Sequence, residues 1–271
     1  MVVWRSHGGG GNVLQQTKWY NELFLSGDYF RFWVKGTGDS LISDERTFTE
    51  VAFIKSVLSL PRDARILDLC CGHGRHSMLL AKEGYRISGL DFSRTELALV
   101  RQAAKEEGLE VQWIQADMRE LPLAADGGVD AVINMFTSFG YFEEEVENQR
   151  VLDGVGRVLK KGGRFLLDVP NIIGRMLNYR DADWTTIGGT LVLRRWDYDV
   201  IRSRINDWMT IVEPDGTKRV QSWSIRLYTY GELRAMLHRA GLLPIKVWGG
   251  LDATELTHGS LRMVILAEKP G

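Results

Sequence analysis

The amino-acid sequence predicts an α/β fold: a doubly wound, mostly parallel sheet of seven strands with helices on both faces. Between residues 65 and 170, short apolar runs typical of buried strands alternate with longer segments of helical periodicity. Two more strand-like runs lie near the end of the chain. Because parallel strands are joined by helical crossovers, this alternation indicates a sheet that is covered on both sides. Further β-type runs after the fifth strand predict an antiparallel insertion.

The elements follow in the order that such a sheet needs. The predicted strands are RILDL at 65–69, RISGLD at 86–91, VQWIQ at 111–115, VDAVINM at 129–135, RFLLDV at 164–169 and two runs near 243–248 and 261–268. The predicted helices span 44–59, 74–83, 93–108, 143–160 and 230–240. Each helix is followed by Gly or Pro, which are typical stop signals, and Ser93 with Glu96 predicts a capping box at the start of the third.

Composition and pattern divide the chain into three parts. Residues 1–43 predict a flexible glycine-containing arm and an aromatic-rich lid, and residues 44–170 and 229–271 form the α/β core. Residues 171–228 form the antiparallel insertion, with a turn at Pro214-Asp215-Gly216. Insertions at the carboxyl side of a parallel sheet lie where ligands bind. We therefore expect the insertion to cover a substrate or to form a homodimer contact.

Bulk properties narrow the class of partner. The chain has 34 basic and 35 acidic residues, without the basic excess of a general nucleic-acid binder. No window of about 18 apolar residues could span a membrane. The only two cysteines are adjacent, so no disulfide framework is expected. We expect a small-molecule ligand, no nucleic acid or membrane partner, and a cytoplasmic location.

The stretch LDLCCGHGRHS at 67–77 permits three interpretations: a metal site, a redox-active thiol pair, or a turn that cradles a nucleotide. Adjacent cysteines at a strand end point in opposite directions, and their spacing fits neither a zinc site nor a C-x-x-C pair. Gly72 and Gly74 follow a buried strand and open a helix, where glycine lets a ligand approach free backbone N–H groups. We therefore expect a nucleotide cradle and no metal.

The glycine pattern alone also approximates a dinucleotide fingerprint, with Asp91 as the ribose-binding acid in either case. Two carboxylates separate the alternatives. Asp68 lies in the first strand, where it would repel a pyrophosphate but could hold the loop or receive a cationic group. Asp117 follows the third strand, where it could accept from an exocyclic amine while Met118 packs on a flat base.

At these residues the chain resembles the Rossmann-like S-adenosylmethionine-dependent methyltransferases. The family's usual D-x-G-x-G-x-G loop corresponds to Asp68-Leu69-Cys70-Cys71-Gly72-His73-Gly74, so a cysteine replaces the first glycine. The resemblance extends to GLDFS at 89–93, ADMR at 116–119 and KKGGRF at 160–165. It covers roughly residues 50–170 and the last two strands.

The resemblance implies S-adenosyl-L-methionine as cofactor and assigns residues to it. The loop 70–74 would face the methionine part, Asp91 the ribose, and Asp117 with Met118 the adenine, while 134–136 would lie near the methyl group. The residues assigned to the cofactor are Asp68, Cys70, Gly72, Gly74, Asp91, Phe92, Asp117, Met118, Asn134, Met135 and Phe136.

Transfer of a methyl group to N or O of a small acceptor needs in-line placement, exclusion of water and, for a hydroxyl, a base. No catalytic residue is fixed by the sequence; the candidates are Tyr20, Tyr29, Tyr141 and His258. Aromatic and basic residues could contact the acceptor, namely Phe30, Phe139, Tyr141, Arg195, Arg226 and Tyr228. A nicotinamide-dependent dehydrogenase and a non-catalytic S-adenosylmethionine-binding protein remain as alternatives.

Overall fold

The structure is a computed structural model that describes residues 43–123 and 128–271. The predictions on Tyr20, Tyr29 and Phe30, and on the arm and lid to which they belong, lie outside the described residues.

Two sheets and six helices make up the described chain. The larger sheet contains β1 (Arg65–Leu69), β2 (Arg86–Asp91), β3 (Gln112–Gln115), β4 (Val129–Asn134), β5 (Leu159–Pro170), β10 (Leu243–Trp248) and β11 (Arg262–Glu268). The smaller contains β6 (Ala182–Ile187), β7 (Thr190–Asp199), β8 (Arg204–Val212) and β9 (Lys218–Arg226). The helices are α1 (Asp44–Leu58), α2 (Arg75–Lys82), α3 (Arg94–Glu106), α4 (Glu145–Val158), α5 (Ile172–Leu177) and α6 (Tyr230–Arg239). None of these helices is long and apolar enough to cross a membrane.

The strand order of the larger sheet is β10-β11-β5-β4-β1-β2-β3. The pairs among β1 to β5 are parallel, whereas β11 is antiparallel to both β5 and β10. From β1, the strands β2 and β3 follow on one side of the sheet, and β4 and β5 follow on the other side. A crevice therefore opens at the carboxyl ends of β1 and β4, where ligands of open α/β sheets bind. The predicted doubly wound sheet with an antiparallel insertion is confirmed.

Alternating side chains of the central strands build two core layers. On one face, Leu67, Val132 and Leu167 pack with the apolar sides of α4 and α6. On the other face, their neighbours Ile66 and Ile133 pack with α1 and α2. Both layers exclude water, so the strands are predominantly apolar, as parallel strands between two helical layers require.

Three local features differ from the sequence expectation. The strand β6 was not predicted because its side chains are nearly all exposed, so it shows no alternation; only its pairing with β7 makes it a strand. The short helix α5, capped by the Asn171 side chain, was also missed. The helix α4 ends two residues early, at Val158, because Leu159 already has extended backbone angles and starts a long β5.

Candidate functional site

A pocket lies at the carboxyl ends of the first four strands. Its walls come from the segments that follow β1, β2, β3 and β4. The lining residues are Cys70, Gly72, Leu90, Asp91, Phe92, Glu96, Ala116, Asp117, Met118, Phe136, Ser138, Tyr141 and Phe142. Eight residues that the sequence assigned to a cofactor or an acceptor are therefore together in one place, because parallel strands end at the same edge of the sheet.

The loop after β1 uses left-handed backbone at three alternate positions, with φ of 63° at Cys70, 55° at Gly72 and 74° at Gly74. At Gly72 an added Cβ would meet no atom within 4 Å, so this glycine borders open space in the pocket. At Cys70 a side chain is held in a conformation that glycine adopts without strain. The loop geometry therefore favours glycine at the position where the resemblance noted a departure.

Gly74 serves packing and does not line the pocket. An added Cβ there would lie 2.5 Å from Cγ2 of Val100 and 2.8 Å from the Trp113 ring. Gly74 begins α2 against α3 and β3, so it lets helix and sheet approach closely. Gly72 thus leaves space for a ligand and Gly74 leaves space for packing, whereas the sequence analysis assigned both glycines to ligand access.

Asp91 ties the loop after β1 to the start of α3. Its Oδ2 accepts from the backbone N–H of Gly72 at 2.8 Å, and its Oδ1 accepts from the backbone N–H of Ser93 at 2.8 Å. Burial raises the pKa of Asp91, while these backbone hydrogen bonds favour the charged form. A carboxylate has about four acceptor positions, so at most two remain for a ligand, and the Phe92 N–H, which also bonds Asp91, competes for one of them.

Glu96 is a pocket residue that the sequence did not identify as one. The predicted capping box is only half formed: Ser93 Oγ accepts from the Glu96 N–H at 3.2 Å, but the Ser93 N–H is taken by Asp91. The Glu96 side chain is 3% exposed, and its Oε2 has no hydrogen-bond partner among the described residues. Burial, and then the charge of Asp91, raises the pKa of Glu96 to about 7.

The segment after β3 supplies a charged and an apolar side chain. Both oxygens of Asp117 accept from the Arg119 guanidinium, which stacks 4.4 Å from the centre of the Phe142 ring. The sulfur of Met118 lies 3.4 Å from that of Cys70. Phe92 lines the same pocket and is 39% exposed. A flat, apolar ligand group with a polar edge would fit between these side chains.

The segment after β4 has strained backbone and is held by a hydrogen bond to a side chain of β5. Phe136 has φ of 56° and donates its backbone N–H to Asp168 Oδ2 at 2.9 Å. The guanidinium groups of Arg46 and Arg75 each lie 5.4 Å from the Phe136 ring centre. Strained non-glycine backbone persists only where its surroundings fix it, and it is concentrated at functional sites.

Three residues assigned to the cofactor lie behind the pocket wall. Asp68 is buried and accepts from the Ser77 hydroxyl at 2.6 Å, so it fixes α2 to β1. Asn134 is buried and donates to the Leu69 carbonyl at 2.9 Å, and Met135 packs in the core. These side chains do not line the pocket; Asp68 and Asn134 follow the alternation of a buried strand into the interior.

The adjacent cysteines face different surroundings. Cys70 packs beside Met118 in the pocket, whereas Cys71 packs with Leu97 and Val100 under α3. Burial raises the pKa of both thiols, so both stay protonated and poorly reactive. Among residues 43–123 and 128–271, no three His, Cys, Asp or Glu side chains are grouped to hold a metal ion.

The acceptor and catalytic candidates separate into two groups. Tyr141 lines the pocket and packs between the large core and the insertion. Phe139 and Tyr228 are buried against each other with ring centres 5.5 Å apart, and the Tyr228 hydroxyl donates to Glu145. Phe139 and Tyr228 lie outside the pocket lining, since both side chains fill the core.

The remaining three candidates are also placed away from the pocket. Arg226 pairs with Glu145 and Glu232, and Arg195 is exposed over the Trp208 ring on the insertion. His258 is exposed in the segment between β10 and β11. The chemical types of Arg195 and Arg226 suited an anionic acceptor, but their positions depend on strand register in the insertion, which the sequence does not reveal.

The insertion is fixed to the pocket wall by a buried cation. Arg204 at the start of β8 donates to the carbonyls of Phe142 at 2.8 Å and Tyr141 at 3.1 Å. The Arg226 N–H donates to the Gly140 carbonyl at 2.8 Å. The wall after β4 therefore depends on the insertion for its shape.

Charge on the pocket is one-sided. Asp91, Glu96 and Asp117 contribute three carboxyl groups, and no Lys, Arg or His belongs to the lining among the described residues. Arg119, outside the lining, pairs with Asp117, so the acidic character rests mainly on Asp91 and Glu96. Such a site favours a ligand that carries positive charge and donates hydrogen bonds, and it opposes a pyrophosphate. With an open glycine at the loop, these donor and acceptor types fit S-adenosyl-L-methionine.

Comparison with known proteins agrees with this geometry. Residues 66–163 match the family model described as "Methyltransferase domain". The demethylmenaquinone methyltransferase of Thermus thermophilus is 37% identical over 105 residues, which are 38% of this chain and 46% of that protein. The chain spans less than half the length of the first curated relatives that it matches, 44% and 49% in two cases.

Two further proteins are similar over most of the chain. The cypemycin N-terminal methyltransferase of a Streptomyces species is 28% identical over 226 residues, 77% of this chain and 85% of that protein. The structure of the CcbJ methyltransferase from Streptomyces caelestis superimposes with a TM-score of 0.79 at 18% identity, over 95% of this chain and all of that one. The structural likeness shows that the fold is shared, including the insertion.

Proposed function

Because this chain carries a methyltransferase domain of the class I, Rossmann-like fold, we propose that it transfers a methyl group from S-adenosyl-L-methionine to N or O of a small-molecule acceptor. The observation that carries the proposal is the acidic pocket at the carboxyl ends of β1 to β4. When bound, the cofactor supplies a methyl group on a positively charged sulfonium. A lining of three carboxyl groups without a basic residue suits that charge.

The described residues would divide the binding work by chemical type. Asp91 has acceptor positions left for ribose hydroxyls. Asp117 lines the pocket and would accept from an exocyclic amine in exchange for part of its bonding to Arg119. Phe92 and Met118 offer apolar surfaces for a flat base. The aromatic rings of Phe136 and Tyr141 exclude water and present π-density to a cation.

We further propose that the insertion helps to select the acceptor. Arg204 joins the insertion to the carbonyls of Tyr141 and Phe142, which belong to the pocket wall. The two curated relatives described above are named for different acceptors, demethylmenaquinone and the N-terminus of cypemycin. Nitrogen is the first choice to test, because the relative named for an N-terminus matches the larger share of the chain.

The test is calorimetric titration with S-adenosylmethionine, S-adenosylhomocysteine and NAD. We expect both sulfur compounds to bind and NAD not to bind. Asp91→Ala should weaken the binding of S-adenosylhomocysteine at least ten-fold, since it removes the hydrogen-bond acceptor for the ribose and releases the loop after β1. The matched control is Asp63→Asn, an exposed carboxylate before β1. Tight NAD binding without S-adenosylmethionine binding would favour the dehydrogenase alternative.

Measurement of turnover distinguishes a methyltransferase from a protein that binds the cofactor without catalysis. Formation of S-adenosylhomocysteine should depend on a panel of amines and hydroxy compounds added as acceptors. Turnover with any of them supports an enzyme, and binding with no turnover across the panel favours the non-catalytic alternative.

A further inference from the structure

The carboxyl group of Glu96 has no assigned role, although it lies in the pocket. It is on the first turn of α3, and only 3% of the residue is exposed. Its Oε2 is buried without a hydrogen-bond partner among the described residues. A buried carboxyl oxygen without a partner is costly, so such a group is retained where a ligand or a neighbouring group completes it.

Local geometry explains why Glu96 is free to face the pocket. In a complete capping box, its side chain would accept from the Ser93 N–H. Here Asp91 Oδ1 takes that N–H at 2.8 Å, and the Glu96 carboxyl is displaced from the cap. By contrast, the same motif at α6 is complete, with Glu232 accepting from the Thr229 N–H at 2.7 Å. The difference comes from a second carboxylate at the end of β2.

We propose that Glu96 is a second carboxyl of the ribose-binding site and accepts a hydrogen bond from one ribose hydroxyl beside Asp91. The inference rests on the proposed use of S-adenosylmethionine. A vicinal diol has two O–H donors, and Asp91 already gives two of its acceptor positions to backbone N–H groups. A second acceptor next to Asp91 matches the second hydroxyl.

The charges around Glu96 favour the ribose over the adenine as its partner. Asp91, at the end of β2, is the charged group whose field acts on Glu96. The other titratable groups of the pocket are Asp117 after β3, Cys70 after β1 and Tyr141 after β4. Asp117 adjoins Met118 in sequence and already bonds Arg119, so we assign the exocyclic amine to Asp117 and the diol to Glu96 with Asp91.

The decisive experiment compares S-adenosylhomocysteine with its 2′-deoxy and 3′-deoxy analogues on the full-length protein. We expect wild type to bind both analogues more weakly than the parent compound. Glu96→Met removes the acceptor but keeps a buried side chain, so it should bind the parent about ten-fold more weakly. It should also lose the preference against one of the two analogues. Glu110→Gln, an exposed control, should match wild type.

A second readout does not depend on activity. The folded pKa of Glu96, about 7, lies above its ordinary value of 4.5. The folded protein therefore holds a proton that the unfolded chain releases, and stability falls as pH rises from about 4.5 to about 7. Glu96→Gln should remove this fall, which thermal unfolding at a series of pH values measures. A hydroxyl that donates to Glu96 favours the ionised form, so saturating S-adenosylhomocysteine should shift the fall to lower pH in wild type.

Failure of the proposed function and failure of the inference on Glu96 give different results. If wild type does not bind S-adenosylhomocysteine, the proposed function is wrong, and the inference fails with it. If wild type binds and Glu96→Met keeps the parent affinity and both analogue preferences, the carboxyl only fills the core and the inference alone is overturned. Loss of one analogue preference in a variant with cooperative unfolding supports the inference.

Discussion

The cofactor pocket and the insertion are built by contacts of different range. In the pocket, Asp91 bonds Ser93 two residues away and Gly72 nineteen residues away, within one β-turn-α unit and its neighbour. In the insertion, Arg204 reaches carbonyls 62 and 63 residues earlier in the chain. Short-range contacts leave motifs in a sequence, whereas long-range contacts do not. The binding of the cofactor was therefore easier to infer than the choice of acceptor.

Removal of the Arg204 guanidinium should cause the largest loss of stability, because it breaks the hydrogen bonds between the insertion and the pocket wall. Arg204→Met removes the buried guanidinium that donates to the carbonyls of Tyr141 and Phe142, and among the described side chains Asn148 alone still donates to Phe142, so we expect a loss of about 3 kcal/mol of unfolding free energy. Cofactor affinity should also fall, since these residues form the pocket wall. Chemical denaturation measures the first effect and calorimetry the second.

The control is Arg202→Met, because Arg202 is exposed and bonds only Asp199 in the adjoining turn among the described contacts. It should change stability by less than about 0.5 kcal/mol. Equal losses in the two variants would mean that the insertion does not support the pocket through Arg204.

Substitution of Gly74 by alanine tests the packing role of the loop after β1, and substitution of Gly72 by alanine tests its role in ligand access. Gly74→Ala forces a Cβ to 2.5 Å from Val100 at a φ of 74°, so we expect a loss of about 2 to 3 kcal/mol. Gly72→Ala meets no atom within 4 Å and should cost about 1 kcal/mol for its positive φ. Denaturation curves compare the two, and similar losses would contradict the different roles.

Cofactor binding should show the reverse order among variants that fold. Gly72→Ala places a methyl group at the pocket and should weaken S-adenosylhomocysteine more than Gly74→Ala does, as titration would show. If Gly72→Ala binds as wild type does, the loop does not approach the ligand at this residue.

Tyr228→Phe tests a residue that the sequence assigned to the acceptor and the structure places in the core. Loss of the hydrogen bond to Glu145 should cost about 1 kcal/mol, with cofactor affinity unchanged. Burial and the Glu145 charge raise the pKa of Tyr228, so its hydroxyl stays protonated at neutral pH and no change in a pH–rate profile is expected. A lost acidic or basic limb in that profile would restore a catalytic role.

Cys70→Gly should have the smallest effect. It restores the residue usual in the resembling family and relieves a φ of 63°, while the unfolded chain gains entropy. We expect a change within about 1 kcal/mol and retained cofactor binding, measured by denaturation and titration. A loss of binding would show that the sulfur, 3.4 Å from that of Met118, contributes to the site.

Most of the fold and the central part of the site could be predicted because they follow from local patterns. Strands β1 and β2 have the predicted bounds, and Asp91 was identified from its place at a strand end. The edge strand β6 has no buried face and therefore no pattern. Glu96 was identified only as a cap, because the competition of Asp91 for the Ser93 N–H depends on three-dimensional placement. Arg195 and Arg226 were chosen by type alone, and register decided their positions.

The bond between Arg204 and the segment 140–142 has a consequence for protein engineering. Gly140 has no room for a Cβ, since the Arg226 carbonyl would lie 2.6 Å away, so segment and insertion fit as one complementary pair. A chimaera that exchanges the insertion between homologous domains would need to carry residues 136–142 with it. The unit that can be transplanted is thus discontinuous in sequence, and recombination boundaries placed only at 171 and 228 would divide it.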